Sequence, residues 1–295
     1  MEFLPFGESL KNIRKRAGLS QKELAAGICS QAQISKIEKD DEIPSAIILN
    51  KISKKLGVDM NYFFDIQQAH KIEYINNVKN EVYLLKKENN YSSLLELLQK
   101  IKQNPLFQNG ENYKFLIWHE AICIHYVEKD SLKAMELLKK GLHLNLGEKG
   151  NLYTEVDIQI IMSFAVLQKE LGIHEESESN FHKALNLLKQ LPKLTDQNIE
   201  LKILFGLAQL YTETERFQDS LLLSQRGIKL CDELETLYLL GHFQYQVGEN
   251  LAKIGNKTKA KQAFNKSCLI FQLQDNQEYV ELVRENENEL LGVRD

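Results

Sequence analysis

The sequence predicts an all-α protein, and three observations carry that expectation. Apolar residues recur at helical spacing along the chain, Leu, Glu and Lys dominate its usage, and helix breakers are scarce, with 4 Pro and 15 Gly among 295 residues. The length suits two domains with a sizeable core, and the 43% hydrophobic content argues for a folded chain. The reading is a five-helix N-terminal domain over residues 1–65, a helical connector over 66–75, and a larger helical domain over 76–295.

The first helix is expected from about Phe6 to Ala17, with Leu10 and Ile13 inward and Gly18 as its stop. Ser20 followed three residues later by Glu23 forms a capping-box pattern, so a second helix starts at about Gln21. Leu24, Ala25 and Ile28 share one face of it, and Gly27 stands near its end. Ser30 then caps a third helix, which turns Ile34 and Ile37 toward the same small core. Gln31, Ala32, Gln33, Ser35 and Lys36 point outward. Pro44 is placed to open the fourth helix, buried through Ile48, Leu49, Ile52 and Leu56 and stopped by Gly57; Asp59 caps a short fifth one.

The outward face of the third helix is polar and short-chained, which suits a DNA major groove. Glutamine can bond both N6 and N7 of adenine, lysine can reach guanine or a phosphate, and an alanine methyl can meet that of thymine. Charge agrees: Lys11 to Lys39 holds seven Lys or Arg against two Glu, whereas residues 66–295 carry 27 basic and 32 acidic side chains. A local basic patch supplies phosphate attraction while an acidic remainder stays off the duplex. Lys11, Arg14, Lys15 and Arg16 are the expected phosphate contacts on the first helix.

Over residues 6–64 the pattern resembles the Xre/Cro-type helix-turn-helix family. The matching residues are Phe6 to Arg14, Leu19-Ser20-Gln21, Leu24-Ala25, Ile34-Ser35-Lys36-Ile37-Glu38, Pro44 and Leu56-Gly57-Val58. The resemblance implies that Gln21 bonds a phosphate, that Gln31, Gln33 and Lys36 read bases, and that Glu38 anchors the fold. Ser30, Ala32 and Ser35 complete the candidate DNA-binding set.

The connector contains neither Pro nor Gly and reads as helix rather than loose linker. Beyond it the chain repeats itself. Leu94, Ala134, Ser177, Ser220 and Ala260 are spaced by 40, 43, 43 and 40 residues, and Ile101, Gly141, Ala184, Gly227 and Ser267 each follow seven positions later. Ala165, Ala208 and Gly248 stand twelve positions before their first-column partners. Bulky residues fall four positions after the first column at Leu98, Leu138, Phe181 and Phe264, but Ser224 breaks that column. The pattern resembles tetratricopeptide repeats with a longer period. It predicts helix pairs at about 74–103, 111–145, 154–190, 197–233 and 236–273, capped by a helix over 277–291.

Stacked helix pairs make a superhelix whose concave face, by that resemblance, comes from the first helix of each pair. Helical offset from the small column points Gln159, Met162, Val166 and Lys169 into it, then Lys202, Phe205, Gln209 and Thr212, then His242, Tyr245 and Glu249. Amides beside aromatic rings suit an extended peptide, bonding its backbone and covering its side chains. Packing against the next repeat is the competing explanation for each residue.

A DNA-reading head, a helical connector and five such repeats together resemble the Rap, NprR, PlcR and PrgX family of regulators, in particular its PlcR branch. The resemblance implies a homodimer, joined through the repeats, that binds a short signalling peptide in the groove and controls transcription at a pseudo-palindromic operator. By position it adds Lys87 and Tyr279 to Gln159, Gln209, His242 and Tyr245 as groove contacts. Peptide binding is then expected to bring two recognition helices to the separation of successive major grooves, ~34 Å. The alternative reading is a repeat protein that sequesters a partner protein, with DNA binding secondary.

Other chemistry finds little support. Cysteines at 29, 123, 231 and 268 show no paired spacing, which argues against a disulfide framework and fits the cytoplasm. His119-Glu120-Ala121-Ile122-Cys123 approaches a zinc motif but lacks an evident third ligand. Neither metal, cofactor nor catalysis is expected. No apolar run reaches the ~18 residues of a membrane span.

Overall fold

The computed structural model describes residues 6–144, 153–192 and 194–292. Position 145, the expected end of the second helix pair, lies outside them, as do the outermost residues of both predicted domains. Among the described residues the chain is helical throughout and divides after Leu97 into two compact units.

In the first unit, α1 (Phe6–Arg16), α2 (Gln21–Ala25), α3 (Gln31–Ile37) and α4 (Ala46–Leu56) follow in order. Leu10, Leu24, Ile34, Ile37, Ile52 and Phe63 are fully buried in one core. Gly7 decides how closely α1 meets the end of α3, since a Cβ there would overlap the Ile37 carbonyl oxygen. Its amide donates to Asp40 Oδ1 at 2.8 Å, which fixes the turn after α3. Pro44 does not open α4. Ser45 does, its hydroxyl accepting from the Ile48 amide at 3.3 Å, because a side-chain acceptor satisfies an orphan amide that proline can only tolerate beside it.

The expected fifth helix, connector and first repeat helix are a single helix, α5 (Asn61–Lys87). Asp59 Oδ1 accepts from the Asn61 amide at 2.8 Å to start it. No Pro or Gly interrupts its 27 residues, so nothing stops the helix where the head's core ends. At 1.5 Å per residue it is about 40 Å long. Phe63 anchors its start, 5.5 Å from the Phe6 ring, and Val78 and Val82 are buried further along. The following helix, α6 (Tyr91–Ile101), contains the division between the units.

The second unit contains α7 (Gly110–Cys123), α8 (Ser131–His143), α9 (Glu155–Glu170), α10 (His174–Leu188), α11 (Ile199–Glu213), α12 (Phe217–Glu233), α13 (Leu240–Lys253), α14 (Lys257–Leu273) and α15 (Gln277–Leu291). One π-helical turn, Ile124–Glu128, extends α7. Each helix packs on the next. The first helices of successive pairs also touch, α7 on α9, α9 on α11, α11 on α13, and α13 on the capping α15, which makes them one layer.

The small columns lie where helices cross. Ala134, Ser177, Ser220 and Ala260 are fully buried, as are Ala165 and Ala208. Two serines use the crossing alike: Ser177 Oγ donates to the Ala165 carbonyl and Ser220 Oγ to the Ala208 carbonyl, each at 2.8 Å. Glycines are notches for rings. A Cβ at Gly206 would stand 2.7 Å from Phe181, and one at Gly248 would stand 2.8 Å from Phe264. In the fourth repeat, where Ser224 replaces the bulky filler, Phe243 enters from the other side and occupies the notch at Gly227. Ser224 itself is fully buried with its hydroxyl unpartnered.

Candidate functional site

The head presents α3 through two caps. Ser20 Oγ accepts from the Glu23 amide at 3.1 Å while the Ser20 amide donates to Glu23 Oε2 at 2.7 Å, completing the capping box of α2. Gly27, at φ +77°, takes the left-handed conformation that lets the chain turn after α2. Ser30 Oγ accepts from the Gln33 amide at 3.1 Å. Its role is therefore the start of α3, with the hydroxyl proton left to give. Gln31, Ala32 and Lys36 are exposed, and Gln33 and Ser35 are half-buried.

Beneath that face lies an ion pair. Arg14 Nε donates to Glu38 Oε1 at 2.6 Å, Nη2 to Oε2 at 3.0 Å, and Nη1 to the Leu19 carbonyl at 2.6 Å. The expectation that Arg14 is free for phosphates is therefore corrected. It is buried, because a carboxylate 24 positions away demands a partner inside the core. Burial pushes the Glu38 carboxyl up, but the bonds from Arg14 and Gln21 and the nearby positive charge outweigh that and hold it below the ordinary range. Glu38 is the anchor the sequence suggested.

The ion pair continues outward. Gln21 Nε2 donates to Glu38 Oε2 at 2.8 Å, and Gln31 Nε2 donates to Gln21 Oε1 at 2.7 Å. Separately, Gln33 Nε2 donates to Glu42 Oε1 at 2.5 Å. Gln21, Gln31, Gln33 and Lys36 thus share one neighbourhood at the start and outer face of α3. Glu42 was not singled out in the sequence, where it reads as part of a polar loop.

The second unit holds a cavity of about 390 Å³ on its layer of first helices. Phe205, Gln209, Thr212 and Glu213 line it from α11; His242, Tyr245, Gln246, Glu249 and Lys253 line it from α13. Phe271 and Tyr279 close one end. Seven of the thirteen expected groove residues therefore meet here: Phe205, Gln209, Thr212, His242, Tyr245, Glu249 and Tyr279. Gln246, Glu213 and Lys253 were missed, although helical spacing places each on the face of a residue already chosen.

One end of this cavity is aromatic. The His242 ring lies 5.6 Å from Phe205, 5.0 Å from Phe271 and 4.9 Å from Tyr279, each edge to face. Burial lowers the His242 pKa to about 4, so the ring is neutral at pH 7. Tyr245 is pushed up to about 12 by burial and by the charges of Glu249 and Glu289, and keeps its proton. The floor is polar: Gln246 Nε2 donates to Thr212 Oγ1 at 2.6 Å, Thr212 to Asn250 Oδ1 at 2.9 Å, and Asn250 Nδ2 to Ser220 Oγ at 2.9 Å. Ion pairs edge it, Lys253 with Glu249 at 3.0 Å and Lys169 with Glu213 at 3.1 Å, while Lys169 also bonds Gln209 Oε1 at 3.2 Å.

Six expected groove residues do not line it: Lys169 reaches only its edge, Val166 packs against the core of the middle repeats, Lys202 pairs with Asp196 at 2.5 Å, and three more lie elsewhere. Met162 belongs to the hydrophobic core of the middle repeats. Gln159 is buried beside it and donates to Asp196. Asp157 to Met162 are all buried, so α9 is covered on every side there and lends neither residue to the cavity. Lys87, exposed at the end of α5, belongs to the first unit. In the zinc-like motif, His119 Nδ1 donates to the Phe115 carbonyl at 2.8 Å and Cys123 is buried at the end of α7.

Residues 10–63 match a helix-turn-helix family model, and residues 79–292 match the model of the RNPP family C-terminal domain. No curated protein sequence matches the chain. Among solved structures, apo PlcR of Bacillus thuringiensis superposes with a TM-score of 0.78 at 22% identity, over 95% of this chain and 98% of that one. PlcR in complex with the peptide PapR7 and DNA gives 0.66 at 24%, with the same coverage. The competence regulator ComR from Streptococcus vestibularis, in complex with its cognate signalling peptide XIP, gives 0.62 at 16%, over 98% and 99%. These likenesses establish the fold. With the C-terminal family model matched across most of its length and a helix-turn-helix in front, the chain belongs to the RNPP family.

Proposed function

We propose that this protein is a sequence-specific DNA-binding transcriptional regulator, acting in the cytoplasm as a homodimer and controlled by a short signalling peptide. The observation that carries the reading is the pairing, in one RNPP chain, of an exposed amide-rich helix with a preformed cavity of rings and amides. Gln31, Gln33 and Lys36 read base edges from α3 while Gln21, Ser30, Ala32 and Ser35 position it. Lys11, Lys15 and Arg16, all exposed, supply phosphate attraction.

The cavity between α11, α13 and α15 takes the peptide. Gln209 and Tyr245 offer backbone hydrogen bonds, and Phe205, His242 and Tyr279 cover an apolar side chain. Glu249 completes the contact surface. The fold family is one of regulators, and no catalytic role is proposed.

The test is a selection from a randomised duplex pool by the full chain, with and without a randomised short-peptide pool. Operator enrichment that depends on peptide is the expected result. Gln209→Ala and Tyr279→Ala should abolish that dependence while leaving DNA recognition intact. Identical enrichment in both arms, unmoved by those substitutions, would overturn peptide control.

A further inference from the structure

The hydrogen bonds beneath α3 do more than hold it in place. A carboxylate can only accept, and an amide side chain has one accepting and one donating end. Glu38, itself pinned by two bonds from Arg14, therefore forces the nitrogen end of Gln21 to face it, at 2.8 Å. That leaves the oxygen of Gln21 at the far end, where it accepts from Gln31 Nε2 at 2.7 Å. Polarity set by one buried charge is handed along two amides to the exposed helix face. Glu42 does the same for Gln33 in one step, at 2.5 Å.

We propose that Glu38, acting through Gln21, and Glu42 are positioning residues that fix which way the amides of Gln31 and Gln33 face the bases, and so set the protein's choice of adenine over guanine. This rests on the reading of α3 as the base-contacting helix. Each reading amide has one N–H committed to an internal acceptor, which leaves its carbonyl oxygen and one N–H for DNA. In the major groove adenine offers an N6 donor beside the N7 acceptor, and matches that pair of groups. Guanine offers two acceptors, O6 and N7, so a carbonyl held toward O6 meets another oxygen. A free glutamine could turn both of its N–H groups toward O6 and N7 of guanine, but one with an N–H already committed cannot.

The test measures A-to-G discrimination rather than affinity. The full chain selects duplexes from a randomised pool, and positions whose preference disappears in Gln31→Ala or Gln33→Ala mark the bases those residues contact. At those positions the unaltered chain should favour adenine over guanine by roughly ten- to hundredfold. Gln21→Leu cuts the relay at a half-buried surface position while leaving both Arg14–Glu38 bonds in place, and Glu42→Gln replaces a pure acceptor by a group that can face either way. Each should reduce discrimination at its own position to about threefold or less while circular dichroism is unchanged, and should leave the other position alone.

Retention of full adenine preference by both variants, at positions that Gln31→Ala and Gln33→Ala do erase, would overturn the proposal and spare the DNA-reading assignment. If the alanine variants erase nothing, the assignment of α3 falls and the proposal falls with it.

Discussion

The head and the repeat body build their candidate surfaces in opposite ways. In the head the contact residues stand at the surface of a seven-residue helix, and what lies beneath is one buried, charged pair, Arg14 with Glu38. In the body the contact residues line a cavity whose floor is an uncharged network of Thr212, Gln246, Asn250 and Ser220, and whose scaffold is rings set into glycine notches. A short helix cannot be held by packing alone, so the head fixes it with a directional ionic contact. Stacked long helices bury enough apolar surface to hold a concavity open. The head should therefore be sensitive to charge and the body to volume.

The sharpest way to break this contrast is to exchange the insults. Arg14→Ala leaves Glu38 buried without its partner and should cost the head about 3–5 kcal/mol, whereas Arg14→Met with Glu38→Leu should recover most of it. Phe243→Ala should cost the body a similar amount, about 3–5 kcal/mol, by emptying the notch at Gly227. Denaturant titration, with probes in each unit, reads both. A body that responds to Phe243→Ala by less than the head does would contradict the division.

A smaller effect separates the units by pH. His242 has a folded pKa of about 4 against an ordinary 6.5, so the unfolded chain binds more protons between those values. Stability of the body is then complete above pH 6.5 and falls as pH drops toward 4, by something on the order of 2 kcal/mol. His242→Phe should flatten that part of the pH profile. Glu38 has the same sign in the head but acts lower, below the ordinary glutamate range, because its carboxyl is depressed rather than a base kept neutral. Smallest of all, Ser224→Ala removes a buried hydroxyl that makes no hydrogen bond, and thermal unfolding should show a gain of about 1 kcal/mol.

How much of this was legible in the sequence follows from the range of the interaction concerned. The repeat columns were legible because a crossing of helices imposes the same small residue at each recurrence, and every aligned Ala and Ser of the first column is fully buried. The caps at Ser20 and Ser30 were legible because they act over three residues. Arg14 was misplaced because the carboxylate that draws it inward is 24 positions away, and a helical wheel of α1 cannot contain it. The continuity of α5 was not legible because the head's core stops near Phe63 while the helix carrying that residue has no Pro or Gly to end it. For Gln159 and Met162 a warning was present: Ile158 to Met162 is nearly unbroken apolar sequence, the mark of a helix covered on all sides.

The notches have a consequence for how such a chain can change over time. Phe181 reaches forward to Gly206, Phe243 and Phe264 reach back to Gly227 and Gly248, and Phe271 reaches back to Gly241. Each ring is keyed to one missing side chain at its own joint, and the direction of the key is not the same along the stack. The repeats therefore cannot be shuffled, duplicated or deleted like beads on a string, because a transplanted ring would arrive opposite a methyl group. Diversity in this body has to accumulate residue by residue on the cavity wall while the joints keep their order.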